Sequence, residues 1–113
     1  MTKSPKVIPS MIANNYHNSK PYHPGTLIKE ELEARGISQR ELSNGINASY
    51  NRINDVLNGK KPISADLALL ISAYLNISPY LLMKLQTGYD MAKAYSNKSF
   101  SLRLANIRKA VAF

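Results

Sequence analysis

Five of the six residues between Tyr50 and Asp55 carry side chains suited to recognition: Tyr50, Asn51, Arg52, Asn54 and Asp55. They match what base edges offer in a DNA major groove. An amide pairs bidentately with adenine, a guanidinium with guanine, and a carboxylate accepts from cytosine. Arg52 could instead reach a phosphate, and Asp55 could instead hold Arg52 at i, i+3 spacing. A basic loop, Lys60-Lys61-Pro62, follows closely and suits contact with phosphates. Chemistry of other kinds is missing. There is no cysteine for a disulfide or a thiolate metal site. The two histidines, His17 and His23, do not pair with a carboxylate at i, i+4, so no metal site is expected. No glycine-rich phosphate loop or nucleophile elbow occurs, so neither an enzyme nor a cofactor is expected.

Those five side chains must sit on one face of a helix, and the flanking residues define that helix. Ser38 and Glu41 can form a capping box that opens a short preceding helix. Leu42 and Ile46 share one face of it, and Ser43 is small enough for two helices to approach. Asn47 tolerates the positive φ of a tight turn. A second helix then starts at Ser49, turns Ile53, Val56 and Leu57 inward, and stops at Asn58-Gly59. Gly45 fits least well, because inside a helix it costs roughly 0.5–1 kcal/mol against alanine. Two short helices, a tight turn and a polar outer face make a helix-turn-helix. The same spacing also fits an ordinary helical hairpin.

One all-α domain is expected for 113 residues. His23-Pro24-Gly25 leads into a first helix ending at Gly36, with Leu27, Ile28 and Leu32 inward. After the helix-turn-helix, Ser64 caps a fourth helix with Asp66 in its first turn. Leu67, Leu70, Ile71, Tyr74 and Leu75 form its expected core stripe. Ser78-Pro79 opens a fifth, with Leu81, Leu82, Leu85, Tyr89 and Ala92 on one side. Met83, Tyr89 and Met91 give that helix surplus apolar surface, suited to a dimer seam.

The chain thus divides into a basic N-terminal segment, 1–22, a compact five-helix domain, 23–95, and a basic extension, 96–113. The net charge of +8 sits in the two ends. Lys3, Lys6 and Lys20 lie before residue 23, and Lys93, Lys98, Arg103, Arg108 and Lys109 lie after residue 92, with no acid in either end. The ends suit phosphate contact, or serve only to solubilise. In the extension, Phe100, Leu102 and Leu104 alternate as a strand would, while Phe100, Leu104, Ile107 and Val111 recur at helical spacing. A basic amphipathic helix from about residue 101 is the preferred reading. No segment is apolar enough to span a membrane and no signal peptide is evident, so a cytoplasmic protein is expected.

Four ordered motifs carry a resemblance to a known family. HPGTLIKEEL at 23–32, SQREL at 38–42, LNGKKPISADLAL at 57–69 and SPYLLMKLQTGYDMAKA at 78–94 resemble HigA-type antitoxins of type II toxin–antitoxin pairs. These fall within the phage-repressor-like (XRE) helix-turn-helix group. The likeness covers about residues 22–95. It departs from the family where Leu81-Leu82 replaces an aromatic and Asn47 replaces the turn glycine. The resemblance implies a lambda-repressor-like fold and a homodimer that binds double-stranded operator DNA. It also implies neutralisation of a HigB-type ribonuclease toxin. By the same resemblance Gln39 and Asn58 contact phosphates, while Tyr50, Asn51 and Asp55 contact bases. Arg40, Ser49, Arg52, Lys60 and Lys61 complete the candidate DNA-binding set. Two alternatives remain open: a stand-alone prophage-type repressor with no toxin, and a protein-interaction module with a vestigial helix-turn-helix.

Overall fold

A computed structural model describes residues 22–112. The expectations for residues 1–21, including Val7, Ile8, Met11 and Ile12 as a toxin-wrapping segment, lie outside the described residues. All regular structure among the described residues is helical. The helices are α1 (Pro24–Arg35), α2 (Gln39–Ile46), α3 (Tyr50–Leu57), α4 (Ala65–Leu75), α5 (Pro79–Ser96) and α6 (Lys98–Ala110). Five were expected in the central domain and a sixth, less well defined, in the extension.

The helix ends follow from local chemistry. Ser38 and Glu41 form the full capping box: the Glu41 N–H donates to Ser38 Oγ at 3.0 Å, and the Ser38 N–H to Glu41 Oε1 at 2.8 Å. Asn47 takes the turn at φ 53°, as its type allows. Asn76 does the same after α4 at φ 57°, and Gly36 closes α1 at φ 67°. Ser64 and Ser49 cap α4 and α3. α6 begins three residues earlier than the periodicity indicated. Its signal was the cap and not the stripe: Asn97 Oδ1 accepts the Phe100 N–H at 2.9 Å.

The described residues form two compact units, one of Tyr22–Thr87 and one from Gly88 onward. In the first, Ile28 and Leu32 of α1 meet Leu42 of α2 and Ile53, Val56 and Leu57 of α3. Leu67, Ala68, Ile71 and Leu75 of α4 and Leu82 of α5 complete that core. Each such leucine, isoleucine or valine contributes about 1.5–3 kcal/mol by leaving water. Ile46 and Ala48 pack against the cluster from the turn. The Ser43 hydroxyl, expected only to be small, also donates to the Ala48 carbonyl at 2.6 Å and so ties α2 to the turn.

Three expectations need correction. The buried face of α4 is Leu67, Ala68, Ile71, Ser72 and Leu75, whereas Leu70 and Tyr74 are exposed. The apolar stripe is broader than the core can cover, so one edge is left outside. That displacement explains Gly45, which stays within α2 and does not end it. A Cβ there would lie 2.3 Å from Cε1 of Tyr74, so glycine gives the Tyr74 ring its seat. Met83 packs against the core and is not surplus surface. In the second unit α6 buries none of its residues, and Phe100, Leu102, Ile107 and Val111 are exposed.

Candidate nucleic-acid interface

α3 turns Ile53, Val56 and Leu57 into the core, which leaves its other side polar. Asn51 and Arg52 are exposed there, and Tyr50, Asn54 and Asp55 are half-buried. Arg40, on the first turn of α2, lays its guanidinium over the Tyr50 ring at 4.5 Å from the centroid. Such a cation–π contact restrains both groups while leaving the arginine charged. Ser49 caps α3 by accepting the Arg52 N–H at 3.3 Å.

A run of amide contacts locks α2 to α3. Asn54 Nδ2 donates to Gln39 Oε1 at 3.0 Å, and Asn58 Nδ2 donates to Asn54 Oδ1 at 3.1 Å. Lys29 of α1 then donates to Asn58 Oδ1 at 3.1 Å. Asn54, placed among the base-reading side chains by its position, spends its amide inside the protein. Its carbonyl partner Gln39 is oriented as a result. With its oxygen occupied, the Gln39 side chain has only amide N–H groups to offer outward, and these suit a phosphate.

Arg52 and Asp55 do not pair with each other as the sequence allowed. Arg52 Nη2 instead donates to Ser64 Oγ at 2.7 Å and approaches the Asp66 carboxylate at 3.3 Å. Ser64 Oγ in turn donates to Asp66 Oδ1. The Ser64 hydroxyl holds the Asp66 carboxyl below the usual carboxylate range, with smaller support from the Leu67 N–H and from Arg52. Asp55 faces Lys61, at 3.8 Å from Nζ, and its carbonyl accepts the Lys60 N–H at 2.8 Å.

Lys60 and Lys61 are exposed, and a residue that sequence reasoning passed over anchors their loop. His23 is buried. Its Nδ1 accepts the Gly25 N–H at 2.9 Å and caps α1, and its Nε2–H donates to the Lys61 carbonyl at 3.1 Å. The ring must therefore be neutral with its proton on Nε2. Gly25 brings α1 against the end of α3: a Cβ on it would lie 2.1 Å from the Val56 carbonyl oxygen. The signal for this was present in His-Pro-Gly before a helix, but nothing in the sequence says which loop a capping histidine also reaches.

Around α3, contacts thus join Arg40 to Tyr50, Gln39 to Asn54, Asn54 to Asn58, and Asp55 to Lys61, while Arg52 turns to the start of α4. Among the described residues no group of three or more His, Asp or Glu side chains could hold a metal ion. No described helix is long and apolar enough to cross a membrane.

Residues 28–82 match the helix-turn-helix family. A curated relative, virulence-associated protein A′ of Dichelobacter nodosus, is 35% identical over 74 residues, which is 65% of this chain and 64% of that protein. The chain therefore spans a little under two thirds of that relative's length. Two solved structures from Pseudomonas aeruginosa are also similar. One is a protein in complex with its 28-base-pair operator DNA, 32% identical, TM-score 0.66, covering 71% of this chain and 89% of that one. The other is the antitoxin HigA with the higBA promoter, 31% identical, TM-score 0.68, covering 74% of this chain and 91% of that one.

Proposed function

This chain belongs to the HigA-type branch of the XRE helix-turn-helix family, and on that premise we propose that it represses its own operon and neutralises a HigB-type ribonuclease toxin. The observation that carries the DNA half is the polar outer side of α3, flanked by the immobilised Gln39 and the anchored loop of Lys60 and Lys61. In this reading Tyr50, Asn51, Arg52 and Asp55 address bases, while Gln39, Arg40, Ser49, Asn58, Lys60 and Lys61 address the backbone. One recognition helix reads only a few base pairs, so the protein acts as a homodimer on a palindrome. Its half-sites lie about 34–36 Å apart, one turn of DNA.

The toxin half is supported by the family alone, and the apolar surface that the described residues leave uncovered on α6 has a different use. We assign that surface to the protein's own dimer, because a basic helix is a poor match for a basic ribonuclease. The N-terminal residues 1–22 are then the segment that engages the toxin. The test is co-expression with the reading frame adjacent to the gene, using the full chain and truncations at either end. Rescue of growth is expected from the full chain and not from the N-terminal truncation. If the full chain rescues nothing and still binds DNA upstream of its gene, the protein is a stand-alone repressor.

A further inference from the structure

We propose that Ser64 and Asp66, at the start of α4, are positioning residues that make Arg52 a reader of bases instead of a phosphate counter-ion. The inference rests on the reading of the α3 face as the DNA-contacting surface. Neither Ser64 nor Asp66 lies on the helix-turn-helix, and neither belongs to the DNA-binding set given above.

The geometry is specific. Arg52 leaves the first turn of α3 and reaches the cap of α4, where a single nitrogen, Nη2, contacts Ser64 Oγ at 2.7 Å and Asp66 Oδ1 and Oδ2 at 3.3 and 3.5 Å. Ser64 cannot turn away, because its oxygen also caps α4 through the Leu67 N–H and its proton goes to Asp66. The guanidinium is thus held from one corner. Its Nη1 and Nε groups keep N–H donors, each able to make a single hydrogen bond to a base edge from a guanidinium whose plane is fixed.

The charges argue the same way. A free, mobile arginine beside DNA finds the nearest phosphate, which carries no sequence information. Asp66 offsets the positive charge of Arg52 and repels phosphate, so the pair gains little from the backbone. A hydrogen bond to a base edge is unaffected in kind. The carboxylate therefore lowers affinity most for the wrong sequence, where Arg52 could only settle on a phosphate, and so raises the contrast between right and wrong sequence. The Ser64 hydroxyl, which holds the Asp66 carboxyl below the usual carboxylate range, favours its charged form.

The experiment uses the full chain and a duplex that it selects from a random library, against a scrambled duplex of the same length. Asp66→Asn is expected to tighten binding to the scrambled duplex. It should also steepen the salt dependence by about 0.9 per phosphate gained and cut the ratio of selected to scrambled affinity about tenfold. Asp66→Glu should restore most of that ratio. In an Arg52→Ala background, Asp66→Asn should leave the ratio and the slope unchanged, because the carboxylate acts through Arg52. Equal effects of Asp66→Asn in both backgrounds would overturn the proposal, as would no effect with Arg52 present. If Arg52→Ala by itself leaves the ratio intact, the assignment of Arg52 to base reading fails, and the positioning role fails with it. Thermal melts of each variant separate these outcomes from loss of fold.

Discussion

Alanine at Gly25 is expected to destabilise the Tyr22–Thr87 unit by about 2–3 kcal/mol or more, the upper range for overpacking a tight contact. The added Cβ would lie 2.1 Å from the Val56 carbonyl oxygen and 2.9 Å from the Leu57 Cα, both backbone atoms that cannot swing aside. Relief requires α1 and the end of α3 to part. That movement would also strain the His23 bridge to Lys61, so DNA affinity should fall at temperatures where the variant is still largely folded. Gly36→Ala is the control. Its φ of 67° strains an alanine, but nothing lies within 4 Å of a Cβ there, so its cost should be about 1–2 kcal/mol, the left-handed backbone penalty alone. Urea unfolding of the two variants measures the contrast. Equal costs would mean that the close approach at Gly25 is not real.

The second large effect is expected at Gln86. This residue is buried on α5, and its Oε1 accepts the Ile63 N–H at 2.7 Å. Leucine would fill similar space and strand that buried N–H, which costs about 1–3 kcal/mol. The loss would fall on the segment between the basic loop and the cap of α4, so it would loosen Lys60, Lys61 and the Ser64 end of the Arg52 contact together. Amide exchange at Ile63 should accelerate well before global unfolding in Gln86→Leu. An unchanged exchange rate there would show that Gln86 does not hold the segment.

Much of this arrangement is legible in the sequence because the chemistry is local. The capping box of Ser38 and Glu41, the positive-φ turn at Asn47, the Ser64 cap and the Gly36 stop each involve residues within four positions of one another. Local spacing also separates the inward Ile53, Val56 and Leu57 from the outward Tyr50, Asn51 and Arg52. What the sequence did not reveal depends on partners distant along the chain. His23 reaches Lys61, Gln86 reaches Ile63, and Arg52 chooses Asp66 over Asp55. Periodicity alone could not say which of Leu70, Ile71, Tyr74 and Leu75 the core would cover, since α4 is apolar around most of its circumference. Gly45 read as a defect until the Tyr74 ring supplied the reason for it.

The central claim is that α3 reads sequence and that its flanking loop holds the backbone. The most direct test compares Asn51→Ala with Lys60→Ala on the selected and scrambled duplexes across a range of salt. Both side chains are exposed, so neither change should disturb the fold. Asn51→Ala is predicted to lose about 1–3 kcal/mol on the selected duplex, with preference relaxed at one base pair and little change on scrambled DNA. Lys60→Ala is predicted to weaken both duplexes alike and to reduce the salt slope by about one. If the two variants lost affinity equally for selected and scrambled DNA, with the same change in slope, the assignment of sequence reading to α3 would be wrong.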